Sequence, residues 1–138
     1  MMYGNVNVLA IIVAAVANMV IGMLWYSPAV FGKAWMKSSG VTADKMNKAK
    51  KGMGKMYGMM FLGTLVMTYI LANFINLTNA TTAVGGAMTG FWLWLGFVAT
   101  TKLSDVLFEG KPIVLFKINA GYYLVSMALM GALLAVWR

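Results

Sequence analysis

Residues 56–101 read MYGMMFLGTLVMTYILANFINLTNATTAVGGAMTGFWLWLGFVATT, and no charged side chain interrupts them. A helix crosses the hydrocarbon core of a bilayer with about 20 apolar residues at about 1.5 Å each, so this run is long enough for two crossings. The break between them falls at Asn76-Leu77-Thr78-Asn79-Ala80-Thr81-Thr82, residues that end one helix and cap the next. So short a connection makes the two helices an antiparallel hairpin. On either side of the run, Met1–Gly32 and Ile118–Trp137 are also uncharged. Four spans follow, at about Val6–Tyr26, Met56–Leu77, Ala83–Ser104 and Ile113–Trp137, with a basic loop over 27–55.

Composition agrees with that reading. The 138 residues are 62% hydrophobic and 10% charged, with a mean hydropathy of +0.80. A soluble domain of this size could not hide so much apolar surface. The expected fold is all-α: an integral membrane four-helix bundle forming one domain over residues 1–138, with a short cytoplasmic interfacial helix. The first apolar segment lacks a basic leader and is long enough to span, so it is expected to stay as a helix.

The chain has no Cys and no His. Disulfides, thiolate and imidazole metal sites, haem ligation by either residue, Cys nucleophiles and His-based triads are therefore excluded. Three carboxylates, eleven basic residues, hydroxyls and amides remain, a thin inventory for an enzyme. No metal site and no cofactor is expected.

The net charge is +8, and its placement gives an orientation. Lys33, Lys37, Lys45, Lys48, Lys50, Lys51 and Lys55 lie between the first two spans, and Lys102, Lys111 and Lys117 flank the turn between the last two. Only Arg138 lies at the other face. The positive-inside rule then puts both termini outside the cytoplasm, in a bacterial inner (plasma) membrane. Anionic inner-leaflet lipids attract such lysines, which makes the lipid bilayer the expected partner and not nucleic acid. Small-residue stripes admit a homodimer.

In the loop, Leu24-Trp-Tyr-Ser-Pro-Ala-Val-Phe-Gly-Lys-Ala-Trp35 combines interface anchors with a helix start. Trp25 and Tyr26 mark the inner interface, and Ser27 with Pro28 is a favourable N-cap and N1 pair for a helix at about Pro28–Lys37. Phe31 and Trp35 fall four apart, as do Lys33 and Lys37, giving aromatic and cationic edges suited to the lipid surface. Thr42 is expected to cap a second helix with Asp44 in its first turn, running on into the second span and bent at Gly52 and Gly54. Pro28-Ala-Val-Phe-Gly-Lys33 also echoes Pro112-Ile-Val-Leu-Phe-Lys117, which would suit two parallel two-helix repeats.

Polar residues at membrane depth need partners or water. Asn18, Thr64, Trp94, Tyr122 and Tyr123 fall at similar depth, with Asn119 nearer the cytoplasm. Asn119, Tyr122, Tyr123 and Ser126 share one face of the fourth helix, and Asn18 stands in the row Ala10, Ala14, Asn18, Gly22. An intramembrane polar layer on the order of 12–15 Å below the inner surface is expected, serving either as interhelical glue or as the lining of a path. Gly86, Gly90, Gly54 and Gly58 are expected to be packing notches. A second candidate lies at the cytoplasmic mouth: Thr101, Lys102, Ser104, Asp105, Glu109 and Lys111, either a solvated turn with local salt bridges or a site that binds a polar head group or relays a proton.

LWYSPAVFGKAW, KAKKGM, LWLGFVATT and LFEGKPIVLFKINAGYYLVS together resemble the bacterial membrane family of domain of unknown function 1761, over nearly the whole chain. The resemblance implies a small helical membrane protein and carries no activity or catalytic residue. That family often has histidine after the glycine-tyrosine pair; Tyr123 stands there in this chain, which argues against a histidine-dependent mechanism. Three roles stay open: a homo-oligomeric carrier or channel for a small solute, with the Asn18, Trp94, Asn119, Tyr122 layer as its selective region; a lipid- or apolar-ligand-binding module or accessory subunit; and, last, an enzyme using Asp105 and Glu109.

Overall fold

The computed structural model describes residues 6–40, 43–49 and 52–137, and every regular element among them is helical. In chain order these are α1 (Val8–Trp25), α2 (Gly32–Ser39), α3 (Ala43–Ala49), α4 (Met53–Leu77), α5 (Ala83–Leu107) and α6 (Ile113–Val136). Among them α1, α4, α5 and α6 are long and apolar enough to cross a membrane.

Local chemistry sets most boundaries. Asn7 caps α1 by accepting from the Ala10 amide at 3.1 Å, and Thr82 caps α5 by accepting from the Gly85 amide at 3.0 Å. Between α4 and α5 the chain reverses through Asn79, which takes a left-handed φ of 55°. Inside α5 the residues Trp94–Ala99 form a π-helical segment, which the sequence does not announce.

The four long helices run alternately up and down. Ala10 and Ile11 near the start of α1 share one apolar cluster with Leu71 and Ile75 near the end of α4 and Leu134 and Ala135 near the end of α6. α6 is the centre of the bundle: α1, α4, α5 and the short α2 all pack on it. Its closest neighbour is α5. A Cβ built on Gly86 would fall 2.6 Å from the Ala135 Cβ and closer still to the Gly131 carbonyl oxygen. A Cβ on Gly90 would fall 2.8 Å from the Met127 carbonyl carbon. Backbone meets backbone there, so Gly86 and Gly90 are packing notches. Gly54 and Gly58 are not: nothing lies within 4 Å of a Cβ on either, because the first turns of α4 stand clear of the bundle.

The segment after α1 differs from its expected form. Ser27 and Pro28 do not start a helix; the Ser27 hydroxyl donates back to the Leu24 carbonyl at 2.7 Å and closes α1, and residues 26–31 turn before α2 begins at Gly32. Gly32 permits the turn because a Cβ there would lie 2.8 Å from the Ser27 carbonyl carbon and closer still to the Tyr26 oxygen. The Pro28–Lys33 and Pro112–Lys117 echo therefore has no structural counterpart, since Pro112 stands at the N-cap of the long helix α6. Asp44 does fall in the first turn of α3, whereas the Thr42 cap lies outside the described residues. Among the described residues α3 ends at Ala49, and α4 begins at Met53 with Gly52 as its N-cap.

Candidate functional site

The expected polar layer resolves into three hydrogen-bonded arrangements, the first and third in edge-on ring contact through Tyr122 and Tyr26 at 5.5 Å. The deepest joins three helices through Asn18 of α1. Its amide nitrogen donates to the Thr64 hydroxyl of α4 at 3.2 Å, and its amide oxygen accepts from Tyr122 of α6 at 2.9 Å and from the Ser126 hydroxyl. Thr64 passes its own proton to the Met60 carbonyl at 2.8 Å. Asn18, Thr64, Tyr122 and Ser126 are all buried, so each donor and acceptor has a protein partner where water is absent. Thr68, one turn beyond Thr64, extends the cluster by donating to the Thr64 carbonyl at 2.7 Å and approaching the Met130 sulfur at 3.6 Å. Sequence reading passed over Thr68; its i, i+4 spacing from Thr64 was the available signal.

The second arrangement pins α1 and α5 to the α6 backbone. Trp25 donates its indole N–H to the Ile118 carbonyl at 2.9 Å, and Trp94 donates to the Ala120 carbonyl at 2.8 Å. Each carbonyl has a second lone pair that its helical hydrogen bond leaves open. Trp94 sits at the first residue of the π-helical segment, which aims its indole at α6. Trp94 thus belongs to packing between α5 and α6, and its indole N–H bonds to the α6 backbone and not to Asn18.

The third lies at the end of the bundle where α1 ends and α6 begins. Tyr26 donates to the Asn119 amide oxygen at 2.6 Å and stands edge-on to Trp35, with ring centroids 6.1 Å apart. Trp25 is tilted against Phe31 at 4.7 Å. Trp25, Tyr26 and Trp35 therefore turn part of their surface inward, while Lys33 is exposed and Phe31 is 38% exposed.

Beside Asn119 opens a cleft of about 360 Å³, bounded by Trp35, Ser38 and Ser39 of α2, Lys102, Asp105 and Val106 of α5, and Lys111, Pro112, Leu115 and Phe116 at the start of α6. That volume falls within the range of about 300–1,000 Å³ typical of small-molecule sites. Of the expected mouth residues, Lys102, Asp105 and Lys111 line it. Thr101 and Glu109 do not; the Thr101 hydroxyl donates to the Phe97 carbonyl at 2.7 Å. Glu109 holds Lys111 at 3.1 Å, and this hydrogen bond and its charge, with Asp105 adding to them, raise the Lys111 pKa above its ordinary value. Lys102 lies 5.8 Å from the centre of the Tyr123 ring, a cation–π distance. Tyr123 in turn is tilted against Tyr122 with ring centroids 4.9 Å apart, so it bridges Lys102 of the cleft wall and the buried cluster. No side chain caps the N-terminus of α6, which starts behind Pro112 at the cleft, where the Leu115 amide donates to the Pro112 carbonyl at 3.1 Å. The sequence hid α2's share: Ser38 and Trp35 reach the cleft only because the turn at residues 26–31 folds α2 onto α6.

No curated protein and no solved structure matches this chain. The family model described as Protein of unknown function (DUF1761) matches residues 9–135, from the second residue of α1 to the penultimate residue of α6. On that near-complete coverage, the chain belongs to the DUF1761 family.

Proposed function

We propose that this protein is a multi-pass membrane protein that holds an amphiphilic ligand at its cytoplasmic mouth. The cleft carries the reading. It sets two ammonium groups, a carboxylate, hydroxyls and an uncapped helix N-terminus against the apolar Val106, Leu115 and Phe116. A polar head group meets the first set of groups and an acyl or other apolar portion meets the second.

The bilayer placement is supported by exposed apolar side chains on all four long helices, such as Leu9, Leu62, Val66, Val84, Phe97 and Leu129. In water so broad an apolar surface is an aggregation liability; in lipid it is the solvated surface. The lysine distribution supports a cytoplasmic side for α2, α3 and the turn between α5 and α6. A carrier using the Asn18 layer draws less support, because the donors and acceptors there are satisfied by one another. Native mass spectrometry after mild detergent extraction tests the proposal. A discrete lipid adduct that disappears in Ser38→Trp, which fills the cleft, is expected; bare protein under all conditions, or an adduct indifferent to Ser38→Trp, refutes it.

A further inference from the structure

Asp105 is the unusual member of the cleft. A site meant only for an anion gains nothing from a carboxylate among its lysines, since a like charge opposes the ligand. Asp105 is half-buried, yet among the described residues no ammonium lies within 4 Å of its carboxylate, and none of their N–H or O–H groups hydrogen-bonds it. The two lysines nearby are engaged elsewhere, Lys111 with Glu109 and Lys102 over the Tyr123 ring. The main chain even ties the carboxylate's own residue into the wall, with the Lys111 amide donating to the Asp105 carbonyl at 3.2 Å. The carboxylate is thus held at the cleft with its acceptor capacity unused.

At the floor, Asn119 presents a complementary group. Its amide oxygen is taken by Tyr26, and its amide nitrogen donates to none of the described residues. The cleft therefore displays donors and positive charge (Lys102, Lys111, the Asn119 amide and the α6 N-terminus) together with one carboxylate that accepts no hydrogen bond from the described residues and acts on Lys111 only through its charge.

We propose that the ligand head group is a zwitterion, a phosphate joined to a primary ammonium. The phosphate lies against Lys102, Lys111 and the α6 N-terminus, and the ammonium lies against the Asp105 carboxylate. The ammonium then meets the Asp105 carboxylate, and the phosphate meets Lys102 and the free side of Lys111, whose other partner is Glu109. A primary ammonium suits Asp105 because it brings three N–H donors; a quaternary ammonium brings none. This assignment rests on the reading of the cleft as a ligand site.

The test compares adducts of detergent-extracted full-length protein by native mass spectrometry. The probes are phosphatidylethanolamine, phosphatidylcholine and phosphatidylglycerol with identical acyl chains. Phosphatidylethanolamine is expected to bind about tenfold more tightly than either other lipid, the scale of one charge-assisted hydrogen bond. Asp105→Asn should erase that preference and strengthen phosphatidylglycerol binding, because the like charge that opposes its phosphate is gone, and Lys102→Gln should weaken all three. Circular dichroism checks that both variants keep their helices, and Asp105→Ser provides a second variant of the same position. Equal binding of the three lipids, or a preference that survives Asp105→Asn and Asp105→Ser, overturns the zwitterion while the cleft reading stands. Loss of every adduct dependence on Ser38→Trp overturns the cleft reading itself. Soluble phosphoethanolamine supplies the last arm: Asp105-dependent displacement of the lipid supports the same head-group chemistry from a free ligand, and no displacement supports recognition of the intact lipid.

Discussion

Gly86→Ala is the sharpest test of how this bundle is built, because a single methyl group is asked to enter where two helix backbones meet. Its carbon would lie 2.6 Å from the Ala135 Cβ, whereas carbon atoms settle at about 3.5–4.0 Å. The far side is backbone at Gly131, so no flexible side chain can yield and α5 must move from α6 by roughly 1 Å. A gap of that size forfeits a quarter to a half of each dispersion contact along the seam, and overpacking of this kind costs about 1–3 kcal/mol. Alanine's better helix propensity returns about 1 kcal/mol, which leaves a net loss of up to about 2 kcal/mol. Gly58→Ala is the control. Nothing lies within 4 Å of its added carbon, so only the propensity term acts and the variant should be as stable as the parent or slightly more so. Heating in mild detergent, followed by far-ultraviolet circular dichroism and tryptophan emission, should show a lowered midpoint for Gly86→Ala alone. Equal midpoints for the two variants would refute the close approach of α5 and α6.

Other outcomes follow from single contacts. Asn18→Ala removes three buried side-chain hydrogen bonds and should cost about 2 kcal/mol, at about 0.6 kcal/mol for each bond within a bundle in lipid. A double-mutant cycle with Ser126→Ala should return a coupling of about 0.6 kcal/mol or more, and strict additivity would contradict their contact. Trp94→Phe keeps the ring but loses the bond to the Ala120 carbonyl; a drop of about 0.5–1.5 kcal/mol in denaturant unfolding is expected. Gly40→Ala meets no atom within 4 Å but must hold a φ of +74°, so a cost of about 1–2 kcal/mol there would come from backbone strain alone. Lysine-reactive labelling of intact cells should leave exposed Lys33 and Lys37 unmodified until the membrane is permeabilised, whereas ready labelling from outside would reverse the proposed orientation.

Much of the fold was legible in the sequence. The charge-free run over residues 56–101 and its Asn/Thr break become α4, a turn at Asn79 and a Thr82-capped α5. Less was legible of the candidate site. Depth along each helix grouped Asn18, Trp94, Asn119 and Tyr122 into one layer, but depth says nothing about which way a side chain faces around the helix axis. In the folded chain Trp94 meets an α6 carbonyl, Asn119 meets Tyr26, and only Asn18 and Tyr122 of those four bond to each other. The start of α2 was misplaced for a similar reason, since Gly32 is required by its approach to the Tyr26 and Ser27 backbone and not by any local helix signal.

The sequence by itself determined the number of long apolar helices, the hairpin between α4 and α5 and the end of the bundle that carries the lysines. Those properties are sums over neighbouring residues: hydropathy, charge and capping act within a few positions of where they are written. Only the tertiary structure decided that Gly86 and Gly90 are seams while Gly54 and Gly58 face open space, that Asn18 draws three helices together, and that α2 folds over α6 to close a cleft around Asp105. Each of these depends on the rotation and closeness of a helix distant in the chain, and one glycine or asparagine is written identically whether or not such a partner arrives.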